Sequence, residues 1–365
     1  MLPKSRIVNL PVYQPGKPAE EVKKELGLKE VIKLASNENP FGCSPRVRAA
    51  IEAELANITQ YPDGSSAELT EALAEHLGVS KEQIIFGCGS DEVIALICRA
   101  FLLPGDETVM ADQTFSVYNT NSRIEGAEII EVPLQDGTHD LEGMLAKVGE
   151  KTKIVWICNP NNPTGTIVTD DALRSFLDRV PDHVLVVLDE AYAEYVTDAS
   201  YPDGISLLGS YSNVIVLRTF SKIYGLASLR IGYGVGQPEV IQLINRVREP
   251  FNTSRFGQAA AKASIADHEF VKECREKNAE GIQFLSAEFD RLGLAYFPAH
   301  GNFMLVQVNR PGGEVFQELM KLGVIIRSGF GKYPDYIRVT VGSKEQNAKF
   351  IAALEQVLKI GQVQA

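Results

Sequence analysis

The stretch Val184-Leu185-Val186-Val187-Leu188 runs directly into Asp189-Glu190-Ala191-Tyr192, so five apolar residues end at an acidic pair. A run that is apolar at every position predicts a strand buried on both faces, which is typical of a parallel sheet covered by helices. Asp189 then lies at the bottom of a cleft, where an ionised carboxylate is costly unless a cation pairs with it. A carboxylate that caps a helix is the alternative for Asp189.

Similar apolar runs, separated by segments of helical length, recur between about residues 65 and 265. They are Gln83–Phe86, Glu107–Met110, Ile129–Val132, Ile154–Ile157 and Val214–Leu217. This alternation predicts an α/β fold, in which a large domain has a mostly parallel central sheet sandwiched by helices. Later residues follow the order helix, strand, helix, strand, strand, helix, which predicts a smaller α+β domain.

These patterns divide the chain into three parts. We expect residues 1–35 to form an N-terminal arm and part of the small domain, 36–265 the large domain, and 266–365 the small C-terminal domain. The prolines of the first part favour an extended arm that must pack on something to be ordered. They are Pro3, Pro11, Pro15 and Pro18.

Composition excludes several classes of protein. With 45% hydrophobic residues the chain can bury a core, and its formal charge of −11 is opposite to the basic surface of a nucleic-acid binder. No apolar run approaches the ~20 residues of a membrane-spanning helix, and the first residues lack the apolar core of a signal peptide, so we expect no membrane partner and a cytoplasmic location. The five cysteines contain no closely spaced pair, so we expect reduced, buried thiols and no metal site.

Polar clusters follow four of the apolar runs, where parallel strands bring their carboxyl ends to one edge of the sheet. Asp189–Tyr192 is one of them. Gly87–Glu92 combines glycines, a helix start and a serine hydroxyl, which suit an anion cradle, although an ordinary turn with Ser90 as N-cap is the alternative. Asn159–Gly165 contains two prolines and a glycine that fix a rigid loop, with asparagine amides as donors.

The fourth cluster, Arg218–Arg230, contains Lys222 between Ser221 and apolar neighbours. Desolvation and the positive charge of Arg230 would lower the pKa of this lysine and make its amine nucleophilic, although a surface lysine is the alternative. Together the four clusters supply a phosphate cradle, an amide for a phenolate oxygen, a carboxylate for a ring nitrogen and an amine for an imine. Those are the requirements of pyridoxal 5′-phosphate.

The order of these segments, from Leu34–Gly42 to Arg338–Gly342, resembles the fold-type I aminotransferases, and within them the class II histidinol-phosphate aminotransferase family. The resemblance covers essentially the whole chain. It implies a pyridoxal-phosphate enzyme that transfers an amino group between L-histidinol phosphate and 2-oxoglutarate, giving imidazole acetol phosphate and glutamate in histidine biosynthesis.

Other functions stay open on the same scaffold. An aromatic amino acid aminotransferase, or one enzyme with both activities, is the nearest alternative, because a pocket for an imidazole can accept a phenyl ring. Decarboxylation of threonine phosphate differs only in which bond at Cα is aligned with the cofactor ring. A ligand sensor without catalysis is a different class, and the chain shows no basic N-terminal module of the kind fused to such sensors.

The resemblance also assigns residues to the cofactor. Lys222 would hold it covalently and move the proton in catalysis, while Asp189 would pair with the ring nitrogen. Asn162 and Tyr192 would bind the 3′-oxygen of the ring. Phe115, where many relatives carry tyrosine, would stack on the ring without a phenol hydroxyl. The residues around the phosphate would be Gly89, Ser90, Asp91, Thr219, Ser221 and Arg230.

The remaining implied roles concern the partner subunit and the substrate. Tyr61 would reach the cofactor phosphate of the neighbouring subunit in a two-fold homodimer, although a buried core tyrosine is the alternative. Arg327 and Arg338 would bind the substrate, because two guanidinium forks suit a doubly charged phosphate and one suits a carboxylate. Tyr13 on the arm and Asn39 would complete the substrate site. The alternatives are a solvated strand residue for Arg327, packing of the arm for Tyr13 and a helix start for Asn39.

Overall fold

The computed structural model describes residues 3–10, 12 and 17–363. The strands in this part of the chain are β1 (Ile32–Lys33), β2 (Ile84–Gly87), β3 (Glu107–Ala111), β4 (Glu128–Val132), β5 (Thr152–Cys158), β6 (Leu185–Asp189), β7 (Val214–Thr219), β8 (Gly232–Gly236), β9 (Phe303–Gln307), β10 (Val324–Ile325) and β11 (Tyr336–Thr340). The α-helices are α1 (Ala19–Leu26), α2 (Pro45–Glu54), α3 (Ala67–Leu77), α4 (Ser90–Phe101), α5 (Val117–Glu125), α6 (Leu141–Leu145), α7 (Asp170–Leu177), α8 (Gly204–Leu207), α9 (Pro238–Asn245), α10 (Arg255–Ile265), α11 (His268–Leu292), α12 (Gly312–Lys321) and α13 (Lys344–Val363).

The large sheet has seven strands in the order β2-β8-β7-β6-β5-β3-β4. Its strand pairs are parallel except the two that involve β8, so the predicted mostly parallel sheet in an α/β fold is confirmed. Sequence reasoning missed β8, because three of its five residues are glycine. Gly232 is required there, since a Cβ at this position would lie 2.4 Å from the Ser90 nitrogen.

Alternate residues of the central strands pack on opposite faces of the sheet. Val186 and Leu188 contribute to the core on one face, together with Ala260 of α10. Val187 contributes to the other face, together with Ile94 of α4. A strand buried on both faces needs apolar residues at every position, which accounts for the unbroken apolar run in the sequence.

The small domain is built around the antiparallel pair β9–β11 and the short parallel pair β1–β10. Its core includes Ile32 from the N-terminal part and Leu285, Phe289 and Phe350 from the helices α11 and α13. The prolines predict an extended arm for the first part of the chain, but this part also contains the helix α1. The fully buried Val22 of α1 packs against α12 and β10.

Two further findings bear on the predictions from composition. Cys98, Cys158 and Cys274 are buried, but Cys43 and Cys88 are exposed, so the expectation of uniformly buried thiols is wrong for two of the five. Within the described residues, no helix is both long and apolar enough to cross a membrane.

The domain boundary near residue 265 stays a prediction, because α11 packs Cys274 into one core and Leu285 into another.

Candidate active site

The four polar clusters lie together at one edge of the large sheet. Asp189 at the end of β6 is in register with Cys158 at the end of β5, which leads into the loop Asn159–Gly165. On the other side, Gly232 pairs with both Gly87 of β2 and Thr219 of β7. The carboxyl ends of parallel strands therefore bring together groups that are more than a hundred residues apart in sequence.

The predicted anion cradle lies at the start of α4. Gly89, with φ of 78°, is the N-cap residue, and Ser90 is the first residue of the helix, so the alternative with Ser90 as N-cap is wrong. No side chain caps this end of the 12-residue helix, which leaves its first backbone N–H groups directed at the site. A Cβ at Gly89 would lie 2.5 Å from the Nη2 atom of Arg230, so glycine permits that guanidinium to approach.

Arg230 connects the other residues of the cradle. Its Nη1 donates to Ser221 Oγ at 3.4 Å, and its Nη2 lies 3.7 Å from Asp91 Oδ2. The Thr219 hydroxyl accepts a hydrogen bond from the Ser221 backbone nitrogen at 3.1 Å. Positive charge, hydroxyl groups and helix N–H groups thus converge, which is an arrangement that binds a phosphate.

Asp189 is a buried carboxylate whose hydrogen-bond partners are neutral. The Tyr118 hydroxyl donates to Oδ2 at 2.5 Å and the Ala191 backbone nitrogen to Oδ1 at 3.2 Å. No lysine, arginine or histidine among the described residues forms an ion pair with it, and burial raises its pKa to about 6. The helix-cap alternative is wrong, because the short helix that follows begins at Ala193 with Tyr192 as its N-cap.

Tyr118 is a site residue that sequence reasoning missed. It lies on α5, fully buried, and its ring stacks on Trp156 with centroids 4.8 Å apart. The ring of Phe115 lies nearly perpendicular to the Tyr118 ring, with centroids 5.5 Å apart. The only sequence signal for Tyr118 is its position three residues after Phe115, which precedes α5, whereas Tyr118 lies in its first turn.

Lys222 lies across the site from this group, in the loop after β7. Its Nζ is 5.6 Å from the centroid of the Tyr192 ring and 3.5 Å from the Ser36 carbonyl oxygen. Burial and then the charge of Arg338 lower its pKa to about 8, with a smaller contribution from Arg230, the cation named from the sequence. The surface-lysine alternative is wrong, since the side chain is half-buried and directed into the cleft.

Tyr192 is held by amide groups from two parts of the chain. Its hydroxyl accepts hydrogen bonds from Asn37 Nδ2 at 3.0 Å and from Asn162 Nδ2 at 3.4 Å. Arg338, which is 8% exposed, donates to Asn162 Oδ1 at 2.5 Å and to the Ala35 carbonyl at 2.8 Å. Tyr192, Asn162 and Arg338 therefore form one connected network, as their predicted common site requires.

Asn37 was also missed, whereas Asn39 was named. Asn39 Nδ2 donates to the Ile223 carbonyl at 2.7 Å, and its Oδ1 accepts from the Phe41 backbone nitrogen at 3.0 Å. Asn39 thus secures the loop that carries Lys222. It is not a helix-start residue, because Ser44 caps α2. Two asparagines two residues apart could not be distinguished from sequence.

Arg327, two residues after β10, forms an isolated antiparallel bridge with Arg338 of β11. The Arg327 nitrogen donates to the Arg338 carbonyl at 3.0 Å, and the Arg338 nitrogen donates back at 2.7 Å. In the described part of the chain, the half-buried guanidinium of Arg327 has no hydrogen bond or ion pair. Tyr13, the arm residue expected above them, lies outside the described residues.

Tyr61 lies at the surface of the chain. It is 77% exposed and stacks on Phe251 with centroids 4.7 Å apart. The alternative of a buried core tyrosine is therefore wrong.

The residues at this edge fit pyridoxal 5′-phosphate. A buried carboxylate without a cationic partner suits a protonated ring nitrogen, and the uncapped helix with Arg230 and Ser221 suits the phosphate. Phe115 offers a stacking face, and Lys222 offers an amine with a lowered pKa. A single group with a ring nitrogen, a phosphate, an aromatic face and a carbon that reacts with an amine explains why the four clusters meet.

Comparisons with known proteins agree on one family. The family model described as aminotransferase class I and II matches residues 29–354. The histidinol-phosphate aminotransferase of Brevibacillus brevis is 55% identical over 359 residues, which cover 98% of this chain and 99% of the relative. That of Halalkalibacterium halodurans is 55% identical over 356 residues, covering 97% and 96%. The crystal structure of histidinol-phosphate aminotransferase from Sinorhizobium meliloti in complex with pyridoxal-5′-phosphate is 32% identical, with a TM-score of 0.90, covering 98% of this chain and 97% of that one.

Proposed function

The chain belongs to the class I and II aminotransferases and, within them, to the histidinol-phosphate aminotransferases, and on that premise we propose that it transfers the amino group of L-histidinol phosphate to 2-oxoglutarate. The products are imidazole acetol phosphate and glutamate, a step of histidine biosynthesis. The observation that carries the proposal is a pair of neighbouring arginines, Arg327 and Arg338, of which Arg338 is close enough to the amine of Lys222 to lower its pKa.

Pyridoxal 5′-phosphate is the cofactor, and when bound its ring supplies an electron sink for the charge left at the substrate Cα. Lys222 is the residue that would hold it. A pKa of about 8 leaves an appreciable neutral fraction of this amine near neutral pH, so Nζ can accept a proton and return it. Asp189 would pair with the ring nitrogen, where opposite charge favours the ionised form of both groups.

The remaining large-domain residues orient the cofactor. Asn162 and Tyr192, already joined by a hydrogen bond, would contact the 3′-oxygen. Phe115 would cover one face of the ring, through apolar contact alone because it carries no hydroxyl. The phosphate would be bound by the start of α4 and by the side chains around it, namely Ser90, Thr219, Ser221 and Arg230.

The two arginines divide the substrate between them in this proposal. Arg338 is fixed by the Asn162 and Ala35 oxygens close to Lys222, where a substrate carboxylate or phosphate can accept from it. Arg327 adds a second guanidinium whose donors are available to a phosphate dianion. The phosphate of histidinol phosphate needs both arginines. Each carboxylate of 2-oxoglutarate needs only one guanidinium.

Glutamate formation tests the proposed reaction. The purified protein, loaded with cofactor, is incubated with 2-oxoglutarate and either histidinol phosphate, phenylalanine or threonine phosphate. We expect glutamate to accumulate fastest with histidinol phosphate, and no carbon dioxide from threonine phosphate. Faster turnover of phenylalanine would make the protein an aromatic transaminase, and release of carbon dioxide would make it a decarboxylase.

We also propose that the active unit is a two-fold homodimer in which Tyr61 contacts the cofactor phosphate of the partner subunit. Tyr61 stacks on Phe251, and these rings are 77% and 45% exposed; Leu55 and Ile58, shortly before Tyr61 in the sequence, are 53% and 66% exposed. Exposed apolar side chains that cluster in this way are typical of a surface covered by another molecule, and a two-fold dimer covers both copies at once.

Mixed dimers test the placement of Tyr61. Inactive Lys222→Ala protein is mixed with impaired Tyr61→Ala protein, and subunits are exchanged. If Tyr61 acts across the interface, a mixed dimer places both defects in one site and leaves the other intact, so activity reappears. Proven exchange without recovery of activity would place Tyr61 in its own chain's site or outside the mechanism.

A reducing compartment such as the cytoplasm is the location that we propose. All five cysteines are free, including the exposed Cys43 and Cys88. Exposed thiols persist where cellular reductants keep them reduced. Fractionation of the native organism with an antibody to the protein would check this location, and recovery in an oxidising extracellular fraction would contradict it.

A further inference from the structure

Tyr118, a fully buried tyrosine on α5, holds the carboxylate at the centre of the site. Its hydroxyl donates to Asp189 Oδ2 at 2.5 Å. Buried hydroxyl groups almost always have a hydrogen-bond partner, and here the partner is the group that the proposed function pairs with the cofactor's ring nitrogen. The hydroxyl therefore acts on the reacting system through Asp189.

The chemical nature of this partner matters, because Asp189 needs its negative charge to bind a protonated ring. A lysine or arginine in the same place would compensate that charge within the protein. A phenol satisfies one lone pair of the carboxylate and leaves the charge available. Burial raises the pKa of Tyr118 well above its usual value, so the phenol stays protonated and can only donate to the carboxylate.

The ring of Tyr118 packs against two other aromatic rings. Trp156 of β5 stacks on it with the planes 9° apart, and Phe115 packs edge-on at 5.5 Å. These contacts prevent the ring from turning away, so the direction of its hydroxyl is fixed by packing. The same contacts connect the carboxylate to Phe115, the residue expected to cover the cofactor ring.

We propose that Tyr118 is a positioning residue that aims the Asp189 carboxylate at the ring nitrogen of the cofactor while leaving its charge intact. The inference rests on the proposed function, since it needs pyridoxal 5′-phosphate in this site. Other titratable groups that interact with Asp189 are Asp91, Lys222, Tyr192 and the buried thiol of Cys158. A substitution of Tyr118 leaves all four in place.

The fluorescence of ligand-free protein gives a readout that does not depend on turnover. Trp156 is the single tryptophan of the chain and stacks on Tyr118, so a ligand in this site changes its emission. Tyr118→Phe keeps the ring and removes only the hydroxyl. We expect its affinity for pyridoxal 5′-phosphate to fall about tenfold to a hundredfold, because a hydrogen bond to a charged group is lost.

The loss has a defined pH dependence. The hydrogen bond from Tyr118 favours the ionised carboxylate, so without it the pKa of Asp189 rises further above its ordinary value. At pH 6 more of the variant's carboxyl groups are therefore protonated than in the wild type, whereas at pH 8 both proteins are largely ionised. The difference in affinity is expected to be larger at pH 6 than at pH 8.

Two controls separate positioning from a structural role. The first is 1-deazapyridoxal 5′-phosphate, in which carbon replaces the ring nitrogen; wild type and Tyr118→Phe should bind it equally. The second is Tyr211→Phe, which removes another phenol's hydrogen bond to an aspartate carboxylate, at 2.8 Å to Asp178 Oδ1, without touching Asp189. Its affinity for pyridoxal 5′-phosphate should stay within about twofold of wild type, since effects at independent sites do not couple.

The outcomes separate a failure of the positioning role of Tyr118 from a failure of the proposed function. Equal weakening of both ligands in Tyr118→Phe, or no weakening of either, overturns the positioning role while wild-type binding of pyridoxal 5′-phosphate sustains the proposed function. A wild-type protein that fails to bind pyridoxal 5′-phosphate overturns both.

Discussion

Arg338 and Arg327 are paired in one antiparallel bridge, yet their side chains have different surroundings. Arg338 is 8% exposed, lies over the ring of Phe303 and donates to Asn162 and Ala35. Arg327 is half-buried, and no described side chain or carbonyl accepts from its guanidinium.

The same difference separates the two ends of the site. At the cofactor end, Asp189, Asn162, Tyr192 and Arg230 are all fixed by hydrogen bonds within the protein. Side chains held in place before the substrate binds lower the barrier only for a step whose geometry is the same for every substrate. The fixed residues at the cofactor end therefore suit the chemistry that all amino donors share. A guanidinium without a protein partner suits a feature that only some substrates have, such as a phosphate.

The largest effect is expected at Lys222, which belongs to the part of the site that every amino donor uses. Lys222→Ala removes the amine that would hold the cofactor and move the proton, so turnover of every amino donor should be abolished. Borohydride treatment of the wild type, followed by peptide mass spectrometry, should locate the fixed cofactor on Lys222. A fixed adduct on another lysine would refute the assignment.

Asp189→Ala should reduce turnover by at least about a hundredfold for all donors, because it removes a preorganised charge at a buried position. The wild type should also lose affinity for pyridoxal 5′-phosphate as the pH falls through about 6, where the carboxylate becomes protonated. The variant should lack this pH dependence. Turnover within about threefold of wild type, with cofactor bound, would exclude the role in pairing with the ring nitrogen.

Arg338→Ala should lower kcat/KM by about tenfold to a hundredfold for histidinol phosphate and for phenylalanine alike, because both lose a charge-assisted hydrogen bond. The loss of the bond to Asn162 adds to this effect. Steady-state kinetics with both donors checks the prediction, with circular dichroism to confirm the fold. A loss confined to one donor would show that Arg338, like Arg327 in this account, acts on only some substrates.

The sequence predicted the residues expected to contact the cofactor, but not the residues that hold them in place. Strand ends are readable from apolar runs, so Asp189, Asn162 and Lys222 were found at positions that the fold brings together. Tyr118 and Asn37 were not found, because each acts through a contact with a residue far away in sequence, Asp189 or Tyr192. Such contacts depend on packing, which local patterns do not encode.

Glycines account for another part of what was missed. The alternating glycines of β8 remove the side-chain pattern by which a strand is recognised, although the fold needs Gly232 for its close approach to Ser90. At Gly89, the same freedom of backbone conformation places the helix cap one residue before Ser90, the cap of the alternative interpretation.

The division of labour between the two arginines can be measured with two substrates that differ only in the phosphate. Histidinol phosphate and histidinol are each supplied to the wild type and to Arg327→Ala, and kcat/KM is determined for all four combinations. The wild type should prefer the phosphate ester, and Arg327→Ala should lose about tenfold to a hundredfold on that substrate while its turnover of histidinol changes little. An equal loss on both substrates would show that Arg327 is structural and that phosphate selection lies elsewhere.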